Sequence, residues 1–406
     1  MMQRPVPTGE YAVGTLTFTI YHDREETLPG SPETKRNVAA RIYYPVQKES
    51  VHGLHKARYM SKEMAKGLAR SVHAPIPYEK REKAGDNISD CYPDAPYAEG
   101  KRFPLIVYNH GYFSYRESNS FLCIELASQG YVVLSVAHSL EAACTEFDDG
   151  TYLYTAKGIA KKQYEPYFRG MMAAYRLIKS KGSEQELAKR FDEMQKQYCR
   201  FIISRIPEWE KDTLSAIHYA RGHFADRIDF DMGIGITGHS IGGAVAYALC
   251  LDVPEFTCGI NIDGALFGDH NGKILDRPFI QISCEDNAPA ETGSLVDHSK
   301  PVWHVVFRKM KHLGFTDFKH MMKIKMLSGS LDADVMHENL CKCHLELFDT
   351  YLRKTKDRPE LTSNNAVTVK EYAPDTSEKK WSLGDGVSGP LFENSEYSDP
   401  RNGTDI

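Results

Sequence analysis

Short, nearly continuous apolar runs recur along this chain. They lie at residues 39–45, 104–108, 131–136, 233–237, 258–262, 278–282 and 302–307. Each is long enough for a strand, and continuous apolarity, rather than alternation, predicts strands buried on both faces. Amphipathic helical patterns lie between many of them, as at residues 121–129 just before the run that opens at Tyr131. That alternation predicts an α/β fold: a mostly parallel sheet with helices on both sides. Two stretches break the spacing, residues 47–102 and 140–231. The second holds charged helical patterns at residues 183–203 and 207–220. Connections this long usually carry structure of their own and often cap a site, so both are expected to form lid or entrance elements. A last helix is expected over residues 332–354. The domain therefore runs over residues 1–355. Polar composition rich in Pro, Ser, Asn and Gly marks residues 356–406 as a loosely packed tail.

The segment Gly238-His239-Ser240-Ile241-Gly242-Gly243 sits between an apolar run and a helix-forming run. A G-x-S-x-G alone says little. Placed after a buried strand and at the start of a helix, it reads as a nucleophile elbow, which implies the α/β-hydrolase fold. A serine hydroxyl needs a base, and the base needs an acid to fix its tautomer. In this fold the chain order is serine, acid, histidine. His312 follows the last apolar run and is the candidate base, whereas His304 lies inside that run and His320 in a later helix. Asp263 and Asp286 each follow a predicted strand, and either can serve as the acid. The commoner placement in this fold, after the later strand, favours Asp286. The oxyanion of an acyl-transfer intermediate needs two backbone N–H groups. The amide of Ile241 is one candidate. The amide of Tyr112, in Asn109-His110-Gly111-Tyr112-Phe113, is the other, with the His110 side chain as a support.

Composition changes this picture little. The net charge of −5 over 406 residues gives no reason to expect nucleic acid as a partner. No run approaches the length of a membrane-crossing helix. The first residues lack the apolar core of an export signal, and nine cysteines follow no framework spacing. Both point to reduced thiols in a cytoplasm. Cys341-Lys342-Cys343-His344 falls in an amphipathic helix without a second ligand cluster, so no metal or other cofactor is expected.

At these residues the chain resembles the platelet-activating-factor acetylhydrolase family of α/β-hydrolases, the plasma and intracellular type II group. The G-H-S-x-G-G elbow is matched by Gly238 to Gly243. An acid-bearing strand end, G-I-x-L-D, is matched by Gly259-Ile260-Asn261-Ile262-Asp263, and H-x-x-F-x-D-F by His312, Phe315, Asp317 and Phe318. The oxyanion strand is matched by Pro104, Leu105, Val107, His110 and Gly111, and an R-x-Y-Y-P segment by Arg41, Tyr43, Tyr44 and Pro45. The resemblance implies Asp263 rather than Asp286 as the acid, and a small-molecule ester of short-acyl or phospholipid type as substrate. The chain departs from the family at Ala137-His138-Ser139-Leu140, where an acidic-His-Arg-Asp sequence is usual. Two other functions stay open at this point: an amidase or peptidase on the same triad, and a non-catalytic binding protein on the same scaffold.

Overall fold

The computed structural model describes residues 4–374, apart from residues 22, 72–86, 271 and 322–323. Among the described residues the strands are β1 (Ala12–Ile20), β2 (Val38–Val46), β3 (Tyr92–Pro93), β4 (Leu105–Asn109), β5 (Val132–Ala137), β6 (Cys144–Glu146), β7 (Tyr152–Tyr154), β8 (Ile234–His239), β9 (Phe256–Ile262), β10 (Phe279–Cys284), β11 (Val302–Phe307) and β12 (Val367–Tyr372). The main helices are α1 (Lys62–Ser71), α2 (Ser120–Ser128), α3 (Tyr167–Ile178), α4 (Glu184–Tyr198), α5 (Arg200–His223), α6 (Ile241–Asp252) and α7 (Ala333–Tyr351). Ten strands form one sheet in the order β12-β11-β10-β9-β8-β4-β5-β2-β1-β3. The stretch from β11 to β5 is parallel. β12, β2 and β1 join antiparallel.

The apolar runs become β2, β4, β5, β8, β9, β10 and β11, all of them buried or nearly so along their length. Alternate residues of each strand enter opposite cores. Leu105, Val107, Leu134 and Ile236 pack under α5 and α6, while Ile106, Tyr108, Val133 and Ile260 pack under α2 and α7. Every crossover therefore has an apolar surface to cover, which is why helices occupy both faces.

Three departures from the sequence reading have physical causes. β1 carries Leu16, Phe18 and Ile20 alternating with Thr15, Thr17 and Thr19, a period-two pattern that a search for continuous runs passes over. Part of the polar tail adds β12 at the sheet edge, where only one side of the strand needs a partner and an exposed polar face is tolerated. Residues 375–406 lie outside the described residues.

The third departure concerns the long stretch before the elbow. Its charged helical patterns divide at Cys199, and α5 runs straight through Pro207. α5 is a core helix, not a lid. It buries Ile206, Trp209, Ala216, Ile217 and Ala220 against the sheet. Its charged residues Arg205 and Asp212 are buried too, because each is paired. α4 starts with a capping box of Ser183 and Glu186. Gln195 of α4 makes two hydrogen bonds to the main chain of Gly268, at 2.9 and 3.0 Å, and Phe191 packs edge-on to Phe267. This fastens α4 to the segment that follows Asp263. In the earlier stretch, α1 packs Met64 and Ala65 with Tyr59, Tyr115 and Phe121.

Candidate active site

Ser240 joins β8 to α6 with φ 58° and ψ −124°, a left-handed conformation unusual for a residue with a side chain. Crowding explains the bend. A Cβ on Gly238 would strike the carbonyl of Gly242, one on Gly242 would strike that of Asn109, and one on Gly264 would strike that of Ser240. A Cβ on Gly243 would overlap Oδ1 of Asn261. The turn thus meets the ends of β4 and β9 main chain against main chain. Ser240 N–H donates to Ile262 O at 2.8 Å. Below the turn, Thr237 Oγ1 lies 2.9 Å from Nε2 of His344, whose Nδ1 lies 2.7 Å from Leu340 O. His344 therefore pins β8 to α7, a role its Cys-Lys-Cys-His context did not suggest. Gly242→Ala is expected to unfold the protein at lower denaturant concentration, since the atoms it would strike, in Asn109 and His110, are all main chain; a chemical melt of the variant checks this.

His312 opens a short helical turn (His312–Phe315) after β11. Its Nδ1 lies 2.7 Å from Oδ2 of Asp263. Asp263 is buried at the end of β9 and also accepts from the Cys284 amide and from Asn287 Nδ2. Burial pushes its pKa up. The His312 bond and charge and the Cys284 amide outweigh that and hold it below the ordinary carboxylate range. An ionised Asp263 places the proton on Nδ1 of His312 and leaves Nε2 with a lone pair. The carboxylate of Asp286 instead pairs with Lys311, next to His312 in the chain, and is half exposed. His304 stays in β11 with Nε2 3.0 Å from Ser283 Oγ, and His320 sits between the rings of Phe121 and His337.

Three further residues hold the His312 turn. His239 packs its ring 4.6 Å from that of His312, and its Nε2 lies 3.1 Å from His312 O. Burial first, and the His312 charge second, push His239 down to about 3, so it stays neutral and donates. Asp317 accepts from Ser120 Oγ at 2.8 Å and from Tyr59 OH at 3.0 Å, at the N-terminus of α2. Asn119 Nδ2 donates to Phe315 O at 2.7 Å. Asp317 was legible in the histidine motif. Tyr59 and Asn119 carried no local signal.

The loop after β4 reaches the elbow. A Cβ on Gly111 would lie 3.1 Å from Cβ of Ser240. Phe113, with φ 61°, donates its amide to Glu141 O at 2.9 Å. Among the described residues, the amides of Tyr112 and Ile241 have no acceptor. Behind this loop lies a buried charged cluster. Asp212 accepts from Arg36 at 2.7 Å, from His138 Nδ1 at 2.9 Å, and from Arg24. Glu141 accepts from Arg36 and Arg205, each at 2.9 Å, and Glu26 from Arg36 at 2.9 Å. Among the described residues, no group of three His, Cys, Asp or Glu side chains is arranged to hold a metal ion.

Sheet order, elbow and flanking helices are those of an α/β-hydrolase, and a ferulic acid esterase from Streptomyces cinnamoneus has the same fold. The two superpose with a TM-score of 0.64 at 20% identity, over 90% of this chain and 98% of that one. The protein is a carboxylic ester hydrolase. It belongs to the family described as platelet-activating factor acetylhydrolase, isoform II, which matches residues 2–354. Similar proteins include the platelet-activating factor acetylhydrolase of Cavia porcellus, 24% identical over 369 residues, covering 87% of this chain and 79% of the relative. That of Canis lupus familiaris is 24% identical over 375 residues, covering 87% and 78%. Among the described residues, no helix is long and apolar enough to cross a membrane.

Proposed function

We propose that the protein hydrolyses short-acyl esters of phospholipid type through Ser240, His312 and Asp263. The observation that carries this reading is the 2.7 Å bond between His312 Nδ1 and Asp263, beside a serine held in a left-handed turn. Asp263 fixes the tautomer in which Nε2 of His312 takes the Ser240 proton as Oγ bonds to the ester carbonyl carbon. The carbonyl oxygen gains negative charge and is met by the amides of Tyr112 and Ile241. His312 then gives the proton to the leaving alcohol as the C–O bond breaks. Water, deprotonated by the same nitrogen, attacks the acyl-enzyme, and His312 passes that proton to Oγ as the acyl–Oγ bond breaks, freeing the acid and Ser240. The substrate class is supported by the family and by the names of its similar relatives.

The test is a pair of variants assayed on p-nitrophenyl esters of increasing acyl length and on matched anilides. Asp263→Asn is expected to lower kcat by about 10⁴-fold, because an amide stabilises the wrong tautomer. Asp286→Asn is expected to leave it within about threefold, as loss of a surface ion pair carries little energy. Equal losses in the two variants would remove Asp263 from the mechanism. Activity that rises steadily with acyl length, or that favours anilides, would overturn the substrate class.

A further inference from the structure

We propose that His110 is a positioning residue for the oxyanion hole: its Nδ1–H fixes the Gly111–Tyr112 peptide plane so that the Tyr112 amide faces Ser240. The proposal rests on the reading of Ser240 and of the Tyr112 amide given above. A peptide unit is planar and trans, so its C=O and N–H point in opposite directions, and holding one aims the other. Nδ1 of His110 lies 2.7 Å from the carbonyl oxygen of Gly111, the other end of the unit that carries the Tyr112 N–H. Ser114 N–H donates to the same oxygen at 3.0 Å.

The ring's protonation is set from behind. The backbone N–H of His138 donates to Nε2 of His110 at 3.2 Å. A main-chain N–H can only donate, so Nε2 is bare and a neutral ring carries its one proton on Nδ1. Burial, and then the neighbouring His138, hold the ring well below the usual histidine range. The ring cannot turn freely either. Trp209 of α5 meets it edge-on at 5.3 Å and stacks on His138 at 3.7 Å. His138 is itself held between Asp212 and Asn109, with Nε2 3.1 Å from the Asn109 amide group. The core helix α5 thereby acts on the orientation of one amide at the elbow.

His110→Leu removes the donor while filling the ring's place. His110→Asn keeps an N–H at the position of Nδ1. We expect kcat to fall in His110→Leu by about 10–100-fold, below the loss from deleting an oxyanion donor outright because Ser114 remains, with KM changed less than about threefold. His110→Asn should recover most of that loss. A short-chain trifluoromethyl ketone, which adds Ser240 Oγ to its carbonyl and leaves a tetrahedral oxyanion, should lose affinity for the Leu variant in step with kcat/KM. A kcat within threefold of wild type in His110→Leu, equal impairment of the two variants, or unchanged ketone affinity would each overturn the proposal. Should the Leu variant not fold, ¹⁵N-histidine NMR of the wild-type protein decides, with His110 assigned by its absence in His110→Asn. An Nδ1–H signature is expected, and an Nε2–H or doubly protonated ring refutes it. Hydrolysis surviving in Ser240→Ala would instead remove the serine mechanism, and the ring's tautomer would stand apart from that result.

Discussion

Ser240→Ala is expected to abolish ester hydrolysis while the protein stays folded. Removing the nucleophile of a serine hydrolase lowers kcat by about 10⁶-fold, leaving only what binding and the oxyanion donors supply. Alanine meets the same backbone restriction at φ 58° as serine does, so stability should hardly move. Ser240→Gly separates the two effects. It should be as inactive as the alanine variant yet more stable, because relieving one residue in so sparse a region is worth about 1–3 kcal/mol. Steady-state assays on a short p-nitrophenyl ester, fluorophosphonate labelling and thermal melts read all three quantities. Hydrolysis retained by Ser240→Ala would exclude it as nucleophile. A glycine variant no more stable than the alanine one would mean that the turn stores no strain.

Asp212→Ala is expected to destabilise the fold by about 3–5 kcal/mol, the usual result of removing one partner from a buried ion cluster. Arg36 and His138 would keep their burial and lose an acceptor. Acid titration should show the same carboxylate at work. Burial pushes the pKa of Asp212 up, but Arg36, the His138 bond and Arg24 prevail and hold it well below 3.8. A depressed carboxylate contributes stability that is fully present above its unfolded value and is lost as pH falls through the folded one. The contribution of Asp212 should therefore persist through mildly acidic pH and disappear only below about pH 4. Denaturant midpoints of wild type and Asp212→Ala at several pH values check both points. A difference that stays constant down to pH 2 would show that folding does not lower the pKa of this carboxylate.

That cluster also shows where the sequence becomes hard to read. Arg24, Glu26, Arg36, Glu141, Arg205 and Asp212 come from three separate segments and meet only in the folded protein. In the sequence, α5 has the charge pattern of a solvated helix. It is buried because its charges are neutralised by partners more than sixty residues away, and no local window holds that information. The parallel strands were legible for the opposite reason: burial on both faces writes itself into each run of five or six residues. The elbow was legible because steric crowding admits only glycine at fixed offsets from the serine. Asp263 and Asp286 both stand at strand ends, and placement in the fold alone favoured Asp286. The difference lies in the turn after β10. There the Cys284 amide and Asn287 Nδ2 face Asp263, while Lys311 draws Asp286 outward.

The glycines around Ser240 also bear on how such an enzyme can be made to accept new substrates. At Gly111, Gly242, Gly243 and Gly264 the ends of β4 and β9 close on the elbow with no room for a further side chain. Randomising these positions, though they lie nearest the serine, would yield libraries in which nearly every member has lost its fold. Useful variation has to enter outside that junction. α3, which presents Tyr167, Phe168 and Tyr175 to solvent, can change without disturbing the junction. The elbow is a part to be inherited whole, and the surrounding helices are where selection has material to act on.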